Sequence, residues 1–136
     1  MTDIFSKEKR SWIMSQIRSK NTSIDLKMKN ILTSLNCNYQ MYPNIYGNPD
    51  FVLHNKKIAI FCDGDFWHGY KYFEKKKPAK KYWKNKIETN MLRDKKISRK
   101  LRRDGWSVLR FWEHDLRKGN DICINKILRK MHERSQ

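Results

Sequence analysis

The chain has 136 residues, 31 Lys and Arg against 14 Asp and Glu, and a formal net charge of +17. That length suits one domain with a real core, and that charge directs the protein to polyanions: DNA, RNA or an acidic membrane surface. No apolar run reaches the length of a membrane span and MTDIFSKEKR is no signal peptide, so a cytoplasmic protein is expected. The scattered Cys37, Cys62 and Cys123 indicate neither a disulfide framework nor a zinc knuckle.

Ser6 can cap a helix carrying Trp12, Ile13 and Ile17, so residues 1–20 read as an N-terminal helical arm. A second helix starts after Asn21 or Thr22, with the stripe Ile24, Met28, Ile31, Leu32 and Leu35, and ends near Asn36. NYQMY is a short strand and PNIYGNP a loop. DFVLH and KIAIFC flank Asn55-Lys56 as a tight hairpin. Pro78 can start a long helix marked by Trp83, Ile87, Met91, Ile97 and Leu101, which Gly105 stops. WSVLRFWE is a further strand, and DICINKILRKMHE closes the chain as an amphipathic helix with Ile124, Ile127, Leu128 and Met131. This order gives one α/β domain over residues 1–136, a small mixed β-sheet flanked by helices.

The chemistry gathers around DGDFWHGY, residues 63–70. Asp50 follows Pro49 at the start of the first hairpin strand, where an aspartate can be a mere turn residue. A hairpin, however, brings it beside the far end of KIAIFCDGD, so Asp50 and the backbone around Cys62 and Asp63 can converge. Hard cations such as Mg²⁺ take carboxylates, carbonyls, waters and substrate phosphate, and this hairpin can supply such a set. His68 is either a loop-capping residue or, beside a metal site, a base that deprotonates water. Asp94 is either a surface ion pair on the long helix or the group that orients the His68 ring. Asp25 fits a capping box, Thr22-Ser23-Ile24-Asp25, which needs no active site. Phe66, Trp67 and Trp83 are core residues or wedges that enter a base stack. The lysines from 71 to 86, Lys80, Lys81 and Lys84 among them, are a solvated face or phosphate contacts, and the total charge favours the second.

YGNPDFVL, IAIFCDGDFWHG and YWKNKIETNMLRDKKISRKLRRDGWSVLRFWEHDL, together with the opening RSWIMSQIRSKNTSID, resemble the very-short-patch-repair (Vsr) mismatch endonucleases over nearly the whole chain. The ordered co-occurrence of these segments is far more specific than any one of them. The resemblance implies a restriction-endonuclease-like (PD-(D/E)XK) core and Mg²⁺-dependent nicking of double-stranded DNA 5′ to the thymine of a T:G mismatch. It makes Asp50 the metal carboxylate and Cys62, a threonine in the best-known members, a main-chain carbonyl ligand. It makes His68 the group that activates water, supported by Asp94, and puts Asp25 where the family has an acid, usually Glu. Phe66, Trp67 and Trp83 take the positions of the intercalating aromatics.

The sequence also departs from that family. Where well-known members bind a structural zinc, this chain has Asp65, Tyr70, Tyr72 and His114, so no zinc is expected. No lysine completes the usual D/E-x-K pattern; His68 would replace it as base. Asp63 is an additional acid that binds metal or only shapes the loop. A monomer is the expected working unit. Two alternatives remain: another structure- or sequence-selective nuclease of the same fold, and a non-catalytic basic nucleic-acid-binding protein. The second has no use for Asp50, His68 and Asp94 together.

Overall fold

The first helix of the computed structural model, which describes residues 22–65, 81–118 and 121–135, is opened by Thr22. Its extended backbone frees Oγ1 to accept the Asp25 amide at 3.3 Å. Helix α1 (Ser23–Ser34) buries Ile24, Met28, Ile31 and Leu32, the expected stripe. It stops because Asn36 takes φ 56°, which lets the Asn36 and Cys37 amides turn back onto the Thr33 and Leu32 carbonyls. The predicted arm at residues 1–20 lies outside the described residues.

Four strands follow in the order β1 (Gln40–Met41), β2 (Phe51–Leu53), β3 (Ile58–Asp63) and β4 (Ser107–Trp112). The first two pairings are antiparallel and β3–β4 is parallel, in register from Ile58↔Ser107 to Asp63↔Trp112. The sheet is therefore mixed, as expected. The hairpin turn differs from the two-residue expectation. Pairing starts at Leu53↔Ile58, so residues 54–57 form the loop: a 3₁₀ turn over His54–Lys56, closed by Lys57 at φ 53°. His54 is drawn outward by a 2.7 Å hydrogen bond with Gln40 and an edge contact with Trp106, instead of extending β2.

Helix α2 (Lys81–Arg103) ends where Gly105 adopts φ 94°, and the Gly105 and Trp106 amides close onto the Arg102 and Leu101 carbonyls. This stop is the one the sequence predicts. α3 (Glu113–Lys118) and α4 (Asp121–Arg134) complete the described chain. Helices cover both faces of the sheet. On one face α1, α3 and α4 bury Met28, Ile31, Phe51, Ile58, Ile60, Phe111, Leu116 and Ile127 in one cluster. On the other, α2 packs Leu101 and Ile97 against Val52, Ala59 and Phe61. Each large side chain so buried contributes roughly 1.5–3 kcal/mol. In α4 the expected stripe shifts: Cys123 and Ile127 are buried, whereas Leu128 is 46% exposed, because the helix meets α3 and the sheet along the 123–127–131 line.

Candidate active site

β3 sends successive side chains to opposite faces of the sheet. Ile58, Ile60 and Cys62 face the α1 side; Ala59 and Phe61 face α2. The strand's last two residues, Cys62 and Asp63, thus sit in two different environments.

On the α1 side, Asp25, Asp50 and Cys62 come together, with one carboxylate oxygen from each aspartate and the Cys62 Sγ all within 4.8 Å of one another. Three elements build this cluster. The first turn of α1 brings Asp25, with its side chain buried. The tight loop of Gly47 (φ 85°) and Asn48 (φ 50°), then Pro49, delivers Asp50 at the mouth of the hairpin. There the Asp50 amide donates to the Ile60 carbonyl at 3.0 Å, and its Oδ2 accepts the Cys62 amide at 2.7 Å. The convergence of Asp50 with the Cys62 backbone is as the hairpin reading expects. Asp25 does both things the sequence left open: its amide caps α1 while its carboxylate faces Asp50.

Tyr42, at φ 49°, ties the two acids together. Its hydroxyl donates to Asp25 Oδ2 at 2.7 Å, and its amide donates to the Asp50 carbonyl at 2.8 Å. Burial pushes the Asp25 carboxyl above the ordinary range, opposed by hydrogen bonds with Tyr42, Thr22 and Cys62. Burial first, and then the nearby Asp50 and Asp25, push the Cys62 thiol well up. Among the described residues Asp25 forms no ion pair: its partners are the neutral groups of Tyr42, Thr22 and Cys62. A buried acid with neutral partners, beside a second acid, is a donor set that a divalent cation fits.

On the α2 side, Asp63 is not part of that cluster. Arg110 Nη1 donates to both its oxygens, at 3.0 and 3.1 Å. Asp94 stands at 3.8 Å from the same nitrogen, and its carbonyl accepts from Arg110 Nη2. Asp94, expected to pair on the surface of its own helix, also bridges to β4 through Arg110. Between these groups and α2 lies a cleft of about 500 Å³ lined by Met91, Lys95, Arg99 and Arg102. Trp83, half-buried on the first turns of α2, meets the Tyr82 ring edge-on at 4.8 Å, with Lys81 exposed and Lys84 half-buried beside it. Phe66, Trp67, His68 and Lys80 lie outside the described residues, as do Tyr70 and Tyr72. Where the zinc departure was read, Asp65 Oδ1 meets His114 Nδ1 at 3.1 Å and the Asp65 amide donates to Glu113. The opening of the 63–70 stretch is thereby pinned to α3.

Sequence reasoning missed two residues. Tyr42 gave no signal, because a tyrosine ending a short strand has no distinctive spacing. Arg110 gave one: a lone cation inside WSVLRFW must find a partner when the strand is buried.

Comparison with known proteins decides what this arrangement belongs to. The family described as DNA mismatch endonuclease Vsr matches residues 2–74. The chain is 33% identical over 136 residues to the Type II nicking enzyme V.NmeDIP of Neisseria meningitidis serogroup C, covering 97% of this chain and 92% of that one. The chain belongs to the Vsr family. It is 30% identical over 136 residues to the DNA mismatch endonuclease Vsr of Escherichia coli (strain K12), covering 98% of this chain and 87% of that one. Like other members of the Vsr family it is a DNA endonuclease. Its fold matches the Homing Endonuclease I-Bth0305I Catalytic Domain with a TM-score of 0.62 at 21% identity, over 85% of this chain and all of that one. The mixed sheet flanked by helices is thus a restriction-endonuclease-like fold.

Proposed function

We propose that this Vsr-family endonuclease nicks one strand of duplex DNA at a T:G-type mismatch, with Mg²⁺ as cofactor, in very short patch repair. The observation that carries the reading is the meeting of Asp25, Asp50 and Cys62 within 4.8 Å at the end of β3. In this reading Asp50 is the principal ligand, the Cys62 carbonyl a second, and Asp25 a further acid at the same point. A divalent cation held by these residues would supply polarisation of the scissile phosphate and neutralise charge that develops on it. Tyr42 fixes the direction of the Asp25 carboxylate, and the Cys62 amide fixes that of Asp50. His68 takes a proton from the attacking water, and Asp94 orients its ring.

Recognition of the mismatch falls to Phe66, Trp67 and Trp83. Unstacking a step costs a few kcal/mol, and less at a mispair, so aromatic insertion selects weakened pairing without reading every base edge. Lys80, Lys81 and Lys84 hold the adjoining phosphates, and residues 1–20 act as an arm on the duplex. The working unit is one monomeric domain over residues 1–136, located with the nucleoid. Asp63, held by Arg110, shapes the loop and does not ligate. The names of the Type II nicking enzymes among the relatives support a single-strand cut.

The test is a nicking assay on labelled duplexes carrying each mismatch, with Mg²⁺ or EDTA. Cleavage of one strand at T:G, dependent on Mg²⁺, is expected. Equal nicking of perfect duplex, or full activity in EDTA, rejects the reading.

A further inference from the structure

Cys62 meets the two carboxylates twice. Its amide donates to Asp50 Oδ2 at 2.7 Å, and its Sγ lies within 4.8 Å of carboxylate oxygens of both Asp25 and Asp50. The other two cysteines are placed differently. Cys37 points at the Met131 thioether, 3.7 Å away, and Cys123 is buried in the apolar core. In its Mg²⁺ role the Cys62 position needs only a main-chain carbonyl, which any residue supplies. The side chain adds to that role only a hydrogen bond to Asp25, and it is a soft donor aimed at a pair of hard ones.

We propose that Asp25, Asp50 and the Cys62 thiolate form a second, thiophilic metal mode at the same point, which takes Zn²⁺ or Cd²⁺ and excludes Mg²⁺. It rests on the metal-site reading of Asp25 and Asp50 and adds the sulfur to it. Two oxygens and one sulfur leave a fourth position for water, the donor number of a tetrahedral Zn²⁺ site. With Zn–S near 2.3 Å and Zn–O near 2.1 Å, donors around one ion stand about 3.4–3.7 Å apart. The three atoms, within 4.8 Å of one another, must close up by at most roughly 1.4 Å, at the expense of the Tyr42 and Cys62 hydrogen bonds that hold the two carboxylates. Thiolate selects Zn²⁺-like ions over Mg²⁺, which takes oxygen donors and keeps its waters. Binding releases the thiol proton to solvent and forms the metal–sulfur bond. Because both ions use the same two carboxylates, occupancy by one excludes the other.

The test is a titration of the metal-free full chain with Cd²⁺, reading the ultraviolet band of a Cd–thiolate bond. The wild type should take up one Cd²⁺ with that band, and Zn²⁺ should bleach it stoichiometrically. Cys37→Ser should keep the band and Cys62→Ser should lose it. Asp50→Asn, which retains the thiol, should weaken Cd²⁺ binding about 10–100-fold. Excess Mg²⁺ should shift the Cd²⁺ titration to higher concentration. A band that survives Cys62→Ser, no band in the wild type, or a Cd²⁺ affinity untouched by Asp50→Asn overturns the proposal. If the wild type shows no band yet nicks with Mg²⁺, the soft mode fails and the Mg²⁺ reading stands. A band in a protein that does not nick with Mg²⁺ supports the soft mode and rejects the Mg²⁺ reading.

Discussion

Arg110 lies diagonally across β3–β4 from Asp63 and bridges both oxygens of its carboxylate with one nitrogen, at 3.0 and 3.1 Å. The guanidinium also sits over the Phe61 ring, 4.1 Å from its centroid, donates from Nε to Ser98 Oγ at 3.0 Å, and reaches Asp94 on α2. One side chain thus joins the end of β3, the body of β4 and the middle of the long helix. Asp63 is nearly fully buried and Arg110 largely so, and removing Arg110 takes two charge-assisted bonds from a buried carboxylate. Arg110→Met should therefore destabilise the fold by about 3–5 kcal/mol, measured by urea unfolding. Asp63→Asn in the Arg110→Met background should recover part of the loss. A single variant as stable as the wild type would show that Asp63 is solvated without Arg110.

Tyr42→Phe removes one oxygen and leaves the ring and the backbone bond to Asp50. The Asp25 carboxylate then loses a donor that holds its direction. Groups that orient metal ligands are each worth about 10–100-fold in metal affinity or activity. The expected outcome is a loss of that size in Mg²⁺ affinity, read from the Mg²⁺ dependence of single-turnover nicking, with duplex binding kept. Unchanged Mg²⁺ dependence would remove Asp25 from the metal site.

The loop that carries Asp50 is set by Gly47. At φ 85° it occupies the left-handed region, and a Cβ there would stand 2.4 Å from Ile97 Cγ2 on α2. Gly47→Ala must strain the backbone and push the loop off the long helix, at a cost of about 1–3 kcal/mol. Thermal unfolding should show the loss, and nicking should fall by more than the unfolded fraction explains, because Asp50 moves with the loop. Normal nicking by the folded fraction would mean that the bonds of Asp50 to Ile60, Cys62 and Tyr42 hold it in place without the loop.

Much of this was legible in the residues. The spacing of Ile24, Met28, Ile31 and Leu32 fixed α1, Gly105 fixed the end of α2, and the apolar runs around residues 51–63 fixed a hairpin that brings Asp50 to Cys62. What failed to show was everything that depends on the partner across a gap. Apolar runs reveal a strand but not its turn, so they imply a two-residue turn where the chain has a four-residue loop at 54–57. Helical spacing reveals a stripe but not its centre, so it points to Leu128 as core and passes over Cys123. Asp94 reads as a helix-surface charge until β4 is laid beside it, because Arg110 stands 16 residues away in sequence and 3.8 Å away in space.

The charge of α2 separates two places where DNA can lie. Lys81, Trp83 and Lys84 occupy its start. Lys95, Lys96, Arg99, Lys100 and Arg103 line a groove with Tyr46 and Leu92 near its end. Lys100 is already engaged there, 3.3 Å from Asp104 and over the Tyr46 ring. At 1.5 Å per residue Lys100 lies about 24 Å further along the helix than Lys84, some three Debye lengths at physiological ionic strength. A duplex held at Trp83 by phosphate contacts therefore feels Lys84 and not Lys100. Each lost phosphate contact lowers the slope of log affinity against log salt by about 0.9. Lys84→Ala should reduce the slope by about that amount on matched and mismatched duplex alike, and Lys100→Ala should leave it unchanged, although both remove one positive charge. Equal effects of the two variants would point to net charge alone, and a larger effect of Lys100→Ala would move the duplex to the far end of the helix.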